Sequence, residues 1–268
     1  MSEVRFFDAM ASSYDDRFSR RLSGRLQRRL VHRRLTKLLK NRESLKILEI
    51  NCGTGTDALF MASLGHQVVA TDASSAMIRE AQTRMSRAGL SVQAEFIVSR
   101  FQDIAQLAPK GPFDLVFSDF GGLNCAGPAE LSRLAEDLSG LLRERGQAFF
   151  VIMGTDARWE QFYGLMKGQA GKAFRRKGKA AVTAVFEGNP MQVFYYSPSD
   201  IKALFGACFS VEGKGPVGLF IPPSGVGGDG ARFPDAMRLL WWLERLHCRL
   251  SFLANLADHY WICLRKRQ

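Results

Sequence analysis

Two glycines bracketed by carboxylates are the first residues in this chain whose spacing could do chemistry. The window Leu48-Glu49-Ile50-Asn51-Cys52-Gly53-Thr54-Gly55-Thr56-Asp57 joins the end of an apolar run to the start of a helical one. Gly53 and Gly55 let the backbone turn sharply and approach a ligand closely, as the first loop of an open α/β sheet does at its nucleotide crevice. Asp72, 17 residues after Gly55, ends the next apolar run. A carboxylate there can grip both hydroxyls of a ribose.

A glycine loop with a ribose acid serves two cofactor classes, and charge separates them. Gly53-x-Gly55-x-x-Ala58 fits the loose dinucleotide pattern, in which a pyrophosphate rests on the helix N-terminus. Glu49 and Asp57, on either side of the glycines, would repel that pyrophosphate. S-adenosylmethionine has no phosphate and carries a sulfonium and an ammonium, so the acidic loop favours it.

The elements needed to hold this loop follow from the pattern of apolar residues. Strand-like runs occur at Lys46–Asn51, Gln67–Asp72, Ala94–Val98, Phe113–Asp119, Gln147–Met153, Phe209–Lys214 and His259–Arg265. Helical stretches are expected at residues 15–40, Asp57–Ser63, Ser75–Ala88, Ala129–Arg143, Trp159–Met166 and Ser199–Phe205, with a core helix around Trp241 and Trp242. Nearly unbroken apolar strands alternating with helices mean a parallel sheet covered on both faces. The fold class is therefore α/β, Rossmann-like and doubly wound. The rhythm breaks at residues 154–197, which hold a short helix, a basic cluster and a hairpin turning at Gly188-Asn189-Pro190. Residues 222–230, PPSGVGGDG, read as a loop. One domain over 1–268 is expected, with a basic helical segment at 1–45 and an inserted substrate lid at 154–197.

Composition narrows the function classes. The chain has 268 residues, 46% hydrophobic and 24% charged, which excludes wholesale disorder and fibrous repeats. Its longest span-like apolar stretch, Ala148 to Met153, is far short of the ~20 residues of a membrane helix. No secretory leader is visible at the N-terminus. Five scattered cysteines without a C-x-x-C pair, and four histidines without metal-ligand spacing, predict no disulfide framework and no metal, in a reducing cytoplasmic setting. Cys52 and Cys125 read as small packing residues. Of the net charge of +11, residues 1–46 supply +8, from 13 Lys/Arg against five Asp/Glu. Such a face suits either solvent or an acidic partner: an acidic carrier protein, an anionic lipid surface or nucleic acid.

Glu49-x-x-x-Gly53-x-Gly55 followed by Asp72 resembles the cofactor signature of class I S-adenosylmethionine-dependent methyltransferases, and the resemblance extends over most of the chain. Phe7, Tyr14 and Asp15 resemble the family's leading helix, where the Tyr borders the cofactor. Asp72-Ala73-Ser74-Ser75-Ala76-Met77 resembles its ribose strand and turn, and Val98-Ser99-Arg100-Phe101 its adenine loop. Phe113–Phe120 resembles its fourth strand, and Leu142–Gly146 the turn into its fifth, which implies an antiparallel last strand beside the fifth. The pattern is nearest to small-molecule enzymes of the quinone-biosynthesis and malonyl-carrier type. The resemblance implies cofactor contacts from Tyr14, Glu49, Asn51, Gly53, Gly55, Asp72, Ala73, Met77, Ser99, Arg100, Phe101 and Ser118. Asn51 stands where the family has its first loop glycine, and Asn is the side chain best suited to positive φ. Ser99 and Arg100 replace the family's adenine-loop acid.

Candidate substrate residues are Asp119 and Asn124, at the carboxyl edge of the fourth strand, and Arg175, Arg176 and Tyr195 in the lid. No convincing general base stands out, since His32 and His247 lie among arginines and leucines. An acceptor already ionised near neutrality is thus expected: a carboxylate, an acidic phenol or an activated carbon. A small-molecule methyltransferase is the leading reading. An RNA methyltransferase is disfavoured by the lack of aromatics among the N-terminal arginines and of an N-P-P-[YFW] motif. A non-catalytic cofactor-binding protein is the third reading.

Overall fold

The computed structural model describes residues 3–178, 181–186, 189–223 and 234–268. Seven strands form one sheet: β1 (Lys46–Glu49), β2 (Gln67–Asp72), β3 (Ala94–Val98), β4 (Phe113–Ser118), β5 (Leu142–Met153), β8 (Phe209–Val217) and β9 (His259–Lys266). Their order is β3-β2-β1-β4-β5-β9-β8. The first five pair in parallel, and β9 runs antiparallel between β5 and β8, with Phe150 opposite Ile262. This is the α/β sheet that the alternating pattern predicts, with the antiparallel last strand that the resemblance implies.

Strand alternation divides the core in two. Ile47, Leu115, Phe117, Phe149 and Val151 face one layer, where α2 (Leu22–Leu39) covers them with Leu30, Val31 and Leu35. Leu48, Val116, Phe150 and Ile152 face the other, under α5 (Pro128–Leu141) and α8 (Pro198–Phe205). The remaining crossovers are α3 (Thr56–Ser63), α4 (Ser75–Arg87) and a 3-10 helical stretch, Phe101–Lys110, between β3 and β4. Local signals set their ends. Ser74 accepts the Met77 N–H as the cap of α4, Pro128 opens α5, and Ser197 with Asp200 forms a capping box on α8.

The single helix expected over 15–40 is divided. A π-helical turn, Asp15–Ser19, precedes α2, and Arg21 between them is extended. The chain folds back tightly there: a Cβ on Gly24 would sit 2.3 Å from the Phe18 carbonyl oxygen. Ahead of it lies α1 (Glu3–Met10). Beyond β5, α6 (Arg158–Met166) and α7 (Ala170–Ala173) lead to β6 (Val182–Phe186) and β7 (Asn189–Val193), which pair antiparallel as the expected hairpin. Gly188 of the expected turn lies outside the described residues, as do Lys179 of the basic cluster and residues 224–230 of the expected 222–230 loop. The last helix, α9 (Pro234–His247), departs from the core helix expected around its tryptophans: Leu239, Trp242 and Leu246 are all more than half exposed.

Candidate active site

At the carboxyl ends of the strands the backbone takes the geometry the sequence needs. Asn51, Gly53 and Gly55 all have positive φ, at 52°, 52° and 74°. A Cβ on Gly55 would meet that of Ala81 at 2.7 Å, so this glycine allows the loop to close against α4. Asn51 accepts the Ser118 hydroxyl at 2.7 Å and donates to the Asp119 carbonyl at 3.2 Å. It thus ties the glycine loop to the end of β4. Gly122 makes room for it, because a Cβ there would fall 2.1 Å from the Asn51 side chain.

Asp72 ends β2 beside this loop. Its two oxygens accept the Gly53 and Ser74 N–H groups at 2.9 Å each. Burial raises its pKa, and each oxygen keeps a lone pair for a further donor. Beneath the loop lies a cluster of three buried carboxylates, Glu49, Asp57 and Asp119. Asp57 takes the cations. Arg28 and His32 both bond to it, and they outweigh its burial to hold it well below the usual carboxylate range. Glu49 and Asp119 are raised well above that range, by burial first and then by the charge of Asp57. Among the described residues, Glu49 Oε2 and Asp119 Oδ2 have no hydrogen-bond partner. Buried orphan acceptors of this kind are costly unless a donor arrives.

These groups border a cavity of about 630 Å³ that crosses the carboxyl edge of the sheet. One end is lined by Asp72, Ala73, Met77, Ser99, Arg100 and Phe101, the other by Asp119, Phe120, Met153, Tyr195 and His259. Tyr14, Asn51 and Gly53 lie between, and Phe6, Phe7 and Met10 of α1 add apolar wall. Burial pushes the Tyr14 phenol up to about 12, so it stays protonated. The N-terminal segment is strapped down at two points. Asp8 accepts the Ser74 hydroxyl at 2.6 Å, and Asp15 accepts the Thr54 hydroxyl at 2.9 Å while pairing with Arg84.

Three of the expected cofactor residues do not line the cavity. Glu49 lies beneath the loop, Gly55 turns the backbone, and Ser118 is fully buried against Asn51. Among the expected substrate residues, Asp119, Arg175, Arg176 and Tyr195 line it, but Asn124 does not. Asn124 is fully buried, and its side chain is consumed by the backbone of Met153 and Phe194. It pins the end of β7 to the end of β5. Arg176 is buried rather than spread over a lid surface. Its guanidinium bonds Asp258 at 2.9 Å and Glu160 at 2.6 Å and stacks over Tyr195 at 4.9 Å. Arg175 also pairs with Glu160, at 2.5 Å. Cys52 is buried, whereas Cys125 is half-buried and lines the cavity.

Two residues that sequence reasoning missed complete the site. Arg28 reaches the Asp57 carboxylate from α2 and sits over the Phe120 ring at 5.1 Å. His259 lines the cavity edge-on to Phe120, with Nδ1 3.1 Å from Asp258 Oδ2. Burial would raise Asp258, but His259 and Arg176 outweigh it and hold it well below the usual range. A His preceded by an Asp at the start of the last strand is the signal that could have found this pair.

The arrangement fits a cationic nucleoside. Asp72 has free lone pairs for hydroxyls, apolar walls suit a base, and the raised, unpartnered carboxyls can ionise to meet a positive charge. A pyrophosphate would face the ionised Asp57 with Arg28 and His32 already committed to it.

Residues 47–146 match the methyltransferase-domain family. The tRNA 5-carboxymethoxyuridine methyltransferase of Escherichia coli K12 is 30% identical over 114 residues, which is 42% of this chain and 43% of that one. The match thus spans less than half the length of that relative. Among solved structures, CcbJ methyltransferase from Streptomyces caelestis superposes over 100% of both chains, with a TM-score of 0.64 at 14% identity. Magnesium protoporphyrin IX methyltransferase from Synechocystis, solved with bound SAH, covers 98% of each chain with a TM-score of 0.57 at 17% identity. The sequence match falls on the stretch that carries the glycine loop and Asp72, and the fold match runs along the whole chain: residues 47–146 are a methyltransferase domain of the class I S-adenosylmethionine-dependent type.

Proposed function

We propose that the protein transfers a methyl group to a small, largely apolar acceptor, with the chain acting as one domain in which residues 154–197 form the substrate lid. The observation that carries this reading is the shape of the cavity. It continues from the Asp72 end to a second, apolar-walled end at Phe120, Met153, Met191, Val193 and Tyr195, with room beyond a nucleoside.

When bound, S-adenosylmethionine supplies an electrophilic methyl on a sulfonium. The chain's own residues bind and align. Asp72 holds hydroxyls, the ionised Asp57 favours a cation and Glu49 and Asp119 can release their protons to one, and the strapped N-terminal segment with the lid excludes water. His259 extends the expectation drawn from the sequence. Set beside Asp258 in the cavity wall, it is placed to take a proton from a hydroxyl or amine, so the acceptor need not be ionised beforehand. His259→Gln is expected to lower kcat by roughly 10²–10⁴-fold with such an acceptor. Affinity for S-adenosylhomocysteine should stay unchanged; an equal loss in both would remove the base role.

RNA is the second reading. It rests on the E. coli tRNA enzyme's similarity and on the exposed cations of α2. Single-turnover assays with radiolabelled cofactor, run against total small-molecule extract and against bulk tRNA, decide between them. Label in the extract supports the proposal, and label only in tRNA overturns it. The basic segment would meet an acidic carrier protein or an anionic lipid surface, from a cytoplasmic location.

A further inference from the structure

Away from the cavity, α9 and α2 lie side by side and present an unusual surface. On α9, Leu239, Trp242 and Leu246 recur at helical spacing and are 59%, 57% and 59% exposed, and Phe252 just beyond is 74% exposed. An amphipathic helix normally turns such a stripe inward. Here the inward face is already taken by Met237, Glu244 and Cys248, which are buried. Glu244 accepts four backbone N–H groups, from Gly218 to Ile221, so α9 cannot rotate to hide the leucines without releasing them.

Cations flank the stripe. Arg245 and Arg249 are exposed on its own segment, and Arg25, Arg29, Arg33 and Lys37 are exposed at four-residue intervals along α2. The two rows are joined. Arg29 sits over the Trp241 ring at 5.5 Å, Arg34 bonds the Cys248 carbonyl at 2.8 Å, and Arg33, Arg34, Lys37 and Arg249 are close enough to repel one another. Helix α2 contains no acidic residue. On α9, Asp235 pairs with Arg238 at the far N-terminal end, and Glu244 is turned inward.

We propose that this face docks on an anionic lipid surface, with the Leu239–Trp242–Leu246 ridge entering the headgroup boundary and the α2 arginines lying on the phosphates. Projecting aliphatic side chains with a Trp, ringed by arginines, are the composition of an interfacial helix. A phosphate-tracking RNA surface has no use for exposed leucines and places stacking aromatics among its cations instead. The inference stands apart from the acceptor reading. Cofactor affinity, measured in parallel, reports on that reading separately.

The test is sedimentation of the full chain with vesicles of phosphatidylcholine alone or mixed with phosphatidylglycerol, together with tryptophan emission. Binding to the anionic vesicles at least about tenfold above the neutral ones, weakened by salt and accompanied by a blue shift, is expected. Arg33→Gln, Lys37→Gln and Arg249→Gln should each weaken it about fivefold. Trp242→Ser with Leu246→Ser should abolish both binding and shift while leaving the unfolding midpoint and S-adenosylhomocysteine affinity unchanged. Sedimentation equal on both vesicles, or unaltered by the Trp242 and Leu246 changes, would overturn the proposal. So would bulk tRNA binding that is tighter than vesicle binding and indifferent to Trp242, or a doubling of mass in solution that Trp242→Ser removes.

Discussion

Glu49 shows how a single buried carboxyl couples cofactor charge to stability. It is 1% exposed, its Oε2 has no partner among the described residues, and burial together with Asp57 and Asp119 raises its pKa well above the ordinary value. A carboxyl whose folded value lies above its unfolded one favours the folded state below the unfolded value. That contribution is lost as pH rises through the folded value, at up to about 1.4 kcal/mol per pH unit for the proton involved. Glu49→Gln should therefore flatten the decline of stability as pH rises above the ordinary Glu value, measured by urea unfolding across pH, while weakening cofactor binding. A steeper decline in the variant would contradict this. The loop's other dependence is steric. Gly122→Ala drives a methyl into Asn51 and should cost about 1–3 kcal/mol, whereas in an Asn51→Gly background the same change should cost much less. Additive losses would show that the two residues do not meet. Glu49, Asn51 and Asp72 were legible in the sequence because one loop and one strand end supply them. Arg28 and His259 were not, because Arg28 acts through Asp57, 29 residues away, and His259 gains meaning only beside Phe120 in the turn after β4.

At the scale of elements, the glycine loop is clamped from outside by the N-terminal segment. Asp15 reaches Thr54 and Arg84 from its π-helical turn, and Arg84 in turn donates to the Thr54 carbonyl at 2.7 Å. The turn was read as part of one long helix because its leucine and arginine spacing continues smoothly into α2. The break comes from the close pass of Phe18 over Gly24, a tertiary contact that periodicity does not encode. Asp15→Ala removes charged hydrogen bonds worth about 1.5–3 kcal/mol in favourable settings. It should weaken S-adenosylhomocysteine binding roughly tenfold and speed amide exchange over residues 3–20, with the sheet unaffected. Protected amides there would mean that Asp8 and Ser74 suffice. The proposed lid needs a similar distinction. Cutting out residues 154–197 would remove Val193, Tyr195 and Tyr196, which are buried, so loss of activity after deletion would not separate specificity from unfolding. Arg176→Gln is the cleaner probe. It leaves Asp258 and Glu160 without their shared cation, and should raise KM for the acceptor more than it changes cofactor affinity.

For the molecule as a whole, the strand order explains why so much of the fold could be read and the cavity could not. Each parallel strand announces itself as an apolar run, and α4, α5 and α8 carry their own start signals, so the order of elements follows from local chemistry. The cavity instead collects residues from the strap, the carboxyl ends of β1 to β5, the segment after β5 and the last strand, and no single stretch encodes its volume. That distribution has a thermodynamic consequence. A ligand filling the cavity couples all of these elements at once, so its binding energy should appear as global stability. At about 100 times its Kd, S-adenosylhomocysteine should add about 2.7 kcal/mol and raise the unfolding midpoint by several degrees. Asp72→Ala should erase most of that rise. NADH at the same concentration should leave the midpoint unchanged, because its pyrophosphate would have to settle beside the ionised Asp57, whose partners Arg28 and His32 are already committed. A midpoint raised by NADH, or indifferent to S-adenosylhomocysteine, would mean that the sign of the charge around the glycine loop does not select its ligand.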